Sequence, residues 1–295
     1  MKLSKNELIK YKSVHRKITM VTGYDFPCAS IADECGIDVV LVGDSVGTNV
    51  LGYTETSQVT MEDMLHHVRA VARGVKRAFI LADLPAEAIV SPEDSLYNAE
   101  KILENGADGV KIEGGVEITG HVALMTRHNI PVCGHIGYTP QKMGNKAVVQ
   151  GKDLIQAQKL IESALSLEKA GAFMIVLELV TQELAGEISG MLTIPTIGIG
   201  AGPLCDGQVQ VINDIAGLSP RTFKHAHAFA NVRGEYSQAI SEYIKEVREG
   251  VFPTEKNAFG LEPEVLKEIK GWVGNSSEAA SGQAADTPGT CQADS

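Results

Sequence analysis

Residues 108–115 read Asp-Gly-Val-Lys-Ile-Glu-Gly-Gly, a stretch that carries a lysine and an acid two positions apart. Side chains at alternate positions of a β-strand share a face, so Lys111 and Glu113 would point the same way. A parallel strand covered on both faces is mostly apolar, and buried charges are costly there. Two charges on one face therefore indicate a functional site, with a salt bridge at a strand end as the open alternative.

Residues whose types could take part in catalysis also stand at the ends of other predicted strands. The full set is Asp44, Ser45, Asp83, Lys111, Glu113, His135 and Glu178. Acids held close together repel one another and take up protons unless a cation balances them. A divalent metal ion is the simplest source of that balance.

The predicted metal ligands are Asp44, Asp83 and Glu113, because they come from three successive strands. Carboxylates without thiolates favour a hard ion. A site that leaves positions for water and substrate favours Mg²⁺ over Ca²⁺. We therefore predict a Mg²⁺ site at these three acids.

Glu178 and His135 have separate predicted roles. Glu178 lies two strands from the metal set among apolar neighbours, a setting that favours a general base near neutral pH, although pairing with an arginine is the alternative. His135 could donate a hydrogen bond to an anionic substrate or be a core histidine held by the backbone, and its residue type favours neither. We place it with the substrate-binding residues.

Strands and helices must alternate to bring these residues together, and the hydrophobic pattern predicts that they do. The predicted strands are 18–24, 39–45, 78–84, 108–115, 131–137, 173–180, 194–199 and 209–214. The predicted helices are 5–13, 27–35, 61–73, one between Ser91 and Gly106, 116–128, 153–170, 235–249 and 263–271. About eight β-then-α units favour a (β/α)₈ barrel over a doubly wound sheet, which alternates in the same way. Such barrels carry the active site at the C-terminal ends of their strands.

The composition is that of a globular protein of 295 residues with 44% hydrophobic residues. Its net charge of −11 argues against nucleic-acid or anionic-membrane partners. The five cysteines lack C-x-x-C spacing, which indicates neither a disulfide framework nor a zinc site and favours a reducing compartment. With no apolar run of membrane-spanning length and no signal-peptide core, we predict a cytoplasmic location.

The predicted domain organisation is a barrel at residues 1–259, including an N-terminal helix and C-terminal helices. A peripheral helix comes next, at 260–273. Residues 274–295 are rich in Ser, Ala, Gly and Asp, which bury too little apolar area to offset chain entropy, so we predict a disordered tail.

Two further motifs have modest interpretations. The loop Gly198-Ile-Gly-Ala-Gly202 comes too late for a dinucleotide-binding loop and lacks an acid about 20 residues on. We interpret it as a loop at the barrel mouth where the backbone can approach a flat or anionic ligand. Cys133 is interpreted as small apolar packing, because no adjacent feature would make it a thiolate.

Six motifs occur together in the order expected for one known family. They are Val42-Gly-Asp-Ser45, Leu81-Ala-Asp-Leu-Pro85, Val110-Lys-Ile-Glu-Gly-Gly115, Cys133-Gly-His-Ile-Gly137 with Thr139-Pro-Gln141, Val176-Leu-Glu178, and Gly198-Ile-Gly-Ala-Gly202 with Asp206-Gly-Gln208. Over about residues 5–259 the chain resembles the ketopantoate hydroxymethyltransferases (3-methyl-2-oxobutanoate hydroxymethyltransferases).

The resemblance implies a (β/α)₈ TIM barrel of the phosphoenolpyruvate/pyruvate superfamily type and Mg²⁺. It also implies that 5,10-methylenetetrahydrofolate donates a one-carbon unit to 2-oxoisovalerate, giving 2-dehydropantoate for pantothenate and coenzyme A biosynthesis. Members of this family are usually large homo-oligomers, commonly decamers.

Site residues carry over by their matching motifs. Asp44, Asp83 and Glu113 match the metal-site acids. The keto-acid site corresponds to Asp44, Ser45, Asp83 and Lys111, and Glu178 matches the base. A 2-oxo acid can chelate Mg²⁺, which stabilises the enolate formed when Glu178 removes the C3 proton, while Lys111 adds positive charge beside the oxyanion.

Departures from the family pattern concern loops and the periphery. Lys152 stands where we expect arginine, the loop after Gln141 is short, residues 220–224 hold one extra position, and Asn257-Ala258 replaces a usual His-Ser.

Two other functions remain open. One is a lyase or phosphonopyruvate-type mutase, although Ile130-Pro131-Val132 replaces the lysines of the lyase motif. The other is a silent barrel that binds metal and anion.

Overall fold

Eight parallel strands form a closed barrel in the computed structural model, which describes residues 2–144, 146–220 and 223–281, the last without the side chains of 273–281. The strands are β1 Ile18–Thr22, β2 Val39–Val42, β3 Phe79–Asp83, β4 Gly109–Glu113, β5 Val132–Gly137, β6 Met174–Glu178, β7 Thr196–Ile199 and β8 Gly207–Gln210. Each pairs with its neighbour in sequence, and β8 pairs with β1. The predicted barrel is confirmed.

Side-chain alternation along the strands divides the core into two layers. The layer inside the barrel includes Ile18, Met20, Val39, Leu41, Phe79, Leu81, Cys133, Met174, Val176, Ile197 and Val209. The layer between strands and helices includes Val40, Val42, Ile80, Ala82, Val110, Ile112, Ile175 and Leu177. On β4 this places Val110 and Ile112 outward, so Lys111 and Glu113 share the inner face as predicted.

The helices alternate with the strands, and several of them begin after a residue whose side chain caps the helix. They are α1 Lys5–Ser13, α2 Phe26–Glu34, α3 Met61–Gly74, α4 Pro92–Glu104, α5 Thr119–Arg127, α6 Pro140–Met143, α7 Leu154–Lys169, α8 Gln182–Met191, α9 Ile212–Ile215, α10 Val232–Glu249 and α11 Pro263–Ser281. Side-chain caps are present on α3 and α4. Thr60 and Asp63 form a reciprocal capping box on α3, and the Ser91 hydroxyl accepts from the Asp94 N–H on α4.

Two connections differ from the predicted pattern. β7 and β8 are joined by residues 200–206 without a helix, so this unit lacks its α element. The predicted eighth strand at 209–214 is wrong at its end, because β8 stops at Gln210 and α9 begins at Ile212. Val211 has extended backbone angles and serves as the helix N-cap, so its apolar run mimics a strand.

Helix α1 covers the N-terminal end of the barrel and helps to close it. Leu8 is fully buried in the inner layer, and the Lys12 ammonium donates to the Ser189 and Ile194 carbonyls and to Asp206. At the β1–β8 seam, Gly207 pairs with Ile18. A Cβ atom on Gly207 would lie 2.4 Å from the Ile18 carbonyl oxygen, so only glycine permits this approach.

The chain divides into two units, Met1–Arg233 and Gly234–Ser295. This boundary lies earlier than the predicted end of the barrel domain at residue 259. The second unit holds most of α10 and all of α11, which continues through Ser281 and includes the first residues of the predicted tail. The prediction for 282–295 lies outside the described residues. Within the described part of the chain, none of the helices combines the length and apolar character needed to cross a bilayer.

Candidate active site

All seven predicted site residues line one cavity of about 110 Å³ at the C-terminal ends of the strands. Its polar lining comprises Asp44, Ser45, Asp83, Lys111, Glu113, His135 and Glu178 together with Thr22, Thr56 and Gln210. Its apolar lining includes Leu41, Val176, Ile199, Val209 and Val211. The cavity can therefore hold a small molecule with a charged end and an apolar end.

Lys111 stands beside two buried acids on neighbouring strands. Its ammonium lies 3.1 Å from Oδ1 of Asp83, and Oδ2 of Asp83 accepts the Asp44 backbone N–H at 3.0 Å. The Lys111–Asp83 contact is close in distance, yet Asp83 Oδ1 lacks a well-directed hydrogen bond among the described residues. The lysine therefore supplies charge at this point more than a fixed hydrogen bond.

His135 lies between the remaining two acids. Its Nδ1 atom is 3.3 Å from Oε1 of Glu113 and 3.2 Å from the Lys111 ammonium, while Nε2 is 3.2 Å from Oε2 of Glu178. The Glu178 side chain is 19% exposed, whereas Glu113 is almost fully buried. Glu178 is thus the acid of this pair with access to the cavity and to solvent.

Burial and mutual charge shift the pKa values of these groups in different directions. Burial, and then repulsion from Asp83 and Glu113, raises the pKa of Asp44 well above its usual value. Burial also raises the pKa of Asp83, despite the opposing effect of Lys111. The pKa of Glu113 is lowered, because His135 and Lys111 outweigh its burial.

The neighbouring acids raise the pKa values of both basic groups. Burial and Lys111 oppose protonation of His135, but Glu113 and Glu178 prevail and raise its pKa to about 9. The pKa of Lys111 is raised as well, because Asp83, Glu113 and Asp44 outweigh its desolvation. The ring nitrogens of His135 thus lie close to the side chains of Glu113, Lys111 and Glu178, and its role in substrate binding stays a prediction.

Ser45 is held by Tyr24, which lies in the segment after β1. Its hydroxyl lies 2.9 Å from the Tyr24 hydroxyl, and the Tyr24 carbonyl in turn contacts Nδ1 of His67 at 2.5 Å. Burial raises the pKa of Tyr24, so its phenol remains a neutral hydrogen-bonding partner. Ser45 is therefore fixed at the edge of the cavity.

The acid cluster fits a divalent cation in charge and in donor chemistry. Four carboxylates stand against one lysine and one histidine, so full ionisation of the acids leaves the cluster with an excess of negative charge. No set of three or more His, Cys, Asp or Glu side chains in the described ranges is arranged to ligate an ion by itself. Mg²⁺ does not require such a cage, because it usually binds one or two carboxylates and keeps several waters.

Several residues of the site were not predicted. Thr22 and Gln210 are the last residues of β1 and β8. A search for polar residues at the C-terminal ends of the strands would have found them if those two ends had been predicted correctly. Gln141 gave no signal beyond its motif, yet its side chain reaches Asp44 at 2.8 Å.

The glycine loop and Cys133 have structural explanations. Gly200 and Gly202 have φ of +66° and +76°, and Cβ atoms there would lie 2.6 Å from Leu179 and 2.4 Å from Gln182. These glycines allow close packing of protein atoms, and approach of a ligand to them stays a prediction. Cys133 is fully buried in the inner layer, as its predicted packing role requires.

Solved structures of the same fold include phosphonopyruvate hydrolase in complex with oxalate and Mg²⁺, with a TM-score of 0.57, 13% identity, and coverage of 96% of this chain and 100% of that one. Another is 2,3-dimethylmalate lyase, a member of the PEP mutase/isocitrate lyase superfamily, with a TM-score of 0.56, 14% identity and the same coverage of both chains. At this identity the likeness shows the fold alone, which is the predicted (β/α)₈ barrel.

Sequence relatives give a finer result. The chain is 49% identical over 275 residues to the 3-methyl-2-oxobutanoate hydroxymethyltransferase of Dehalococcoides mccartyi (strain CBDB1), covering 92% of this chain and 99% of that protein. The family model for ketopantoate hydroxymethyltransferase matches residues 2–255, a range that includes every strand of the barrel. The chain therefore belongs to the ketopantoate hydroxymethyltransferase family.

Proposed function

We propose that this protein transfers a hydroxymethyl group from 5,10-methylenetetrahydrofolate to 2-oxoisovalerate, forming 2-dehydropantoate in pantothenate biosynthesis. The observation that carries the proposal is one small cavity in which Lys111, the acid cluster and the His135–Glu178 pair meet an apolar wall. A branched 2-oxo acid has the matching halves, namely two oxygen-bearing groups at one end and an isopropyl group at the other.

Lys111, Ser45 and His135 receive the oxygen-bearing end of the substrate. The Lys111 charge attracts a 2-oxo carboxylate and stabilises negative charge that develops on the keto oxygen. Ser45, fixed by Tyr24, offers a hydroxyl donor. Leu41, Val176 and Val209 line the apolar side, where the isopropyl group would be shielded from water.

Glu178 is the general base that removes the C3 proton. Its carboxylate is the more exposed acid beside the cavity, and Nε2 of His135 lies 3.2 Å from Oε2 of Glu178. Water releases the one-carbon unit from the folate as formaldehyde, so both C–N bonds break and the two folate nitrogens take up the protons of the water. The C3 carbanion then adds to the formaldehyde carbon, and the resulting alkoxide takes up the proton that Glu178 removed.

Asp44, Asp83 and Glu113 would hold Mg²⁺ in this proposal. When bound there, Mg²⁺ supplies Lewis-acid stabilisation for the negative charge that develops on the 2-oxo acid. The excess of carboxylates over positive groups in the cluster supports this assignment.

A homo-oligomer, as large as a decamer, and a cytoplasmic location are part of the same proposal. Helix α10 supports assembly, because Tyr236, Ile240, Tyr243, Ile244 and Val247 recur at helical spacing on one face. Analytical ultracentrifugation of the full chain tests the oligomer directly, since a sedimenting monomer would contradict it.

The deciding experiment is proton NMR of 2-oxoisovalerate in D₂O with protein and Mg²⁺, with and without methylenetetrahydrofolate. We expect the C3 proton to exchange without folate and a hydroxymethyl product to form with it. Exchange without product would favour another chemistry on a 2-oxo acid. Absence of both, with the acid merely bound, would favour a silent binding barrel.

A further inference from the structure

Gln141 contacts two of the proposed metal acids although none of the roles above involves it. It stands in α6, directly after β5. Its side-chain Nε2 donates to Oδ2 of Asp44 at 2.8 Å and to the Leu84 carbonyl at 3.0 Å, and its backbone N–H donates to Oε2 of Glu113 at 3.1 Å. One residue therefore fixes acids that come from β2 and β4.

The orientation of the Gln141 amide is set by its neighbours. Both groups near Nε2 are acceptors, so the NH₂ side of the amide must face them. Oε1 is left buried and has no hydrogen-bond partner among the described residues. A buried oxygen without a donor costs free energy, which indicates that its donor arrives with a ligand or with ordered water.

The segment that carries Gln141 belongs to the cover of the cavity. Pro140 lines the cavity, and α6 packs against the short 3₁₀ helix Thr56–Gln58, whose Thr56 lines it as well. The Tyr138 hydroxyl bonds to the Gly144 carbonyl across the segment. Lys142 pairs with Glu117 on its outer side, at 2.6 Å. Gln141 is thus the residue through which this cover contacts the acid cluster.

We propose that Gln141 is a positioning residue for the metal and 2-oxo acid site. It orients the Asp44 and Glu113 carboxylates, relieves part of their mutual repulsion, and offers Oε1 to a donor that enters with the metal and the keto acid. The inference rests on the proposed function, because only there are these acids metal ligands.

The proposal has a reciprocal consequence. Residues that orient metal ligands typically change metal affinity by roughly 10–100-fold. If the contacts of Gln141 strengthen metal binding by such a factor, metal binding must stabilise those contacts by the same factor. The backbone N–H of Gln141, which donates to Glu113, should then exchange its hydrogen more slowly once the metal is bound.

The metal affinity of variants tests whether Gln141 strengthens metal binding. Free Mn²⁺ is followed by electron paramagnetic resonance, with and without 2-oxoisovalerate, for the wild-type protein, Gln141→Leu and Gln141→Met. Lys142→Met is the matched control, since it lies on the same helix and pairs only with an exposed acid. We expect Kd for Mn²⁺ to rise roughly 10–100-fold in both Gln141 variants and to stay within about twofold in the control. The melting temperatures of the metal-free proteins show whether each variant is folded.

The outcomes separate the two proposals. Mn²⁺ binding by the wild-type protein with unchanged affinity in both Gln141 variants would overturn the role of Gln141 and leave the proposed function standing. Failure of the wild-type protein to bind Mn²⁺ would overturn both.

Hydrogen exchange in the wild-type protein tests whether metal binding stabilises the contacts of Gln141, and it needs no variant. The peptide covering residues 138–144 should be protected when Mn²⁺ and 2-oxoisovalerate are added. Unchanged exchange in that peptide, with metal demonstrably bound, would contradict the positioning role.

Discussion

The Nε2 atom of His135 lies 3.2 Å from Oε2 of Glu178, and this contact links the proposed base to the buried acid cluster. The same ring reaches Glu113 through its other nitrogen, at 3.3 Å. Glu178 is the more exposed of the two carboxylates, so it is the one that can reach a substrate in the cavity. Its removal is therefore the most direct test of the site.

Glu178→Gln should keep binding of 2-oxoisovalerate and lose exchange of its C3 proton. The amide preserves the shape of the side chain but cannot accept a proton, and general bases contribute roughly 10²–10⁴-fold to rate. Proton NMR in D₂O measures the exchange rate, and isothermal titration measures binding. Exchange at the wild-type rate would rule out Glu178 as the base. Removing the metal with EDTA should reduce exchange further than this substitution does.

Lys111→Met should destabilise the barrel, because it leaves Asp83 without its cation in a site where both side chains are 5% exposed or less. Breaking one side of a buried ion pair costs about 3–5 kcal/mol. The double variant Lys111→Met with Asp83→Asn should recover part of that loss. Lys142→Met, which breaks an exposed pair with Glu117, should cost about 1 kcal/mol or less. Urea unfolding midpoints compare the four proteins, and equal losses in the single and double variants would contradict the coupling.

Asp33 predicts a pH dependence of stability away from the active site. Its carboxylate accepts the backbone N–H groups of Lys76, Arg77 and Ala78 at 2.7–3.2 Å. Burial alone would raise its pKa, but these hydrogen bonds lower the pKa below the usual value of 3.8. Its contribution is complete above the unfolded pKa of about 3.9 and is lost as the pH falls through the lower folded value.

Asp33→Asn should therefore lower the urea midpoint at pH 7 by an amount equivalent to about 1–3 kcal/mol. The difference from the wild-type protein should shrink at pH 3 and below. Glu104→Gln, an exposed change on α4, is the control. A difference that stays constant from pH 7 to pH 3 would show that the charge of Asp33 is not involved.

Cysteine reactivity should follow burial. Burial raises the pKa of Cys133 to about 12 and that of Cys28 to about 11, whereas Cys35 is exposed. Iodoacetamide at pH 8 should modify Cys35 in the native protein and Cys133 at least roughly tenfold more slowly. Peptide mapping by mass spectrometry reads both sites, and rapid labelling of native Cys133 would contradict its role in packing.

The residues on the inner face of the barrel were predictable, because side chains alternate between the two faces of a strand. Lys111 and Glu113 are two positions apart on one strand, and strand geometry alone places them together. The convergence of Asp44, Asp83 and Glu178 followed from the rule that parallel strands end on one side. Their catalytic and metal-binding roles stay predictions.

Contacts that depend on loops were not predictable in the same way. The path of the chain after β5 decides where Gln141 lies, and no period in the sequence encodes it. The end of β8 was misplaced because Val209, Val211 and Ile212 read as one apolar run, although only the first belongs to the strand. A short run of this kind suits a strand and a helix start equally well.

The seam between Ile18 and Gly207 sets an order on the folding of the chain. β1 is among the first segments to leave the ribosome, and its second partner is among the last parts of the barrel to be made. Until β8 arrives, β1 has an open edge that could pair with another chain. Closure is also a contact of very long sequence separation, which is slow to form. Nascent chains that stop before residue 207 should therefore be the most prone to aggregate.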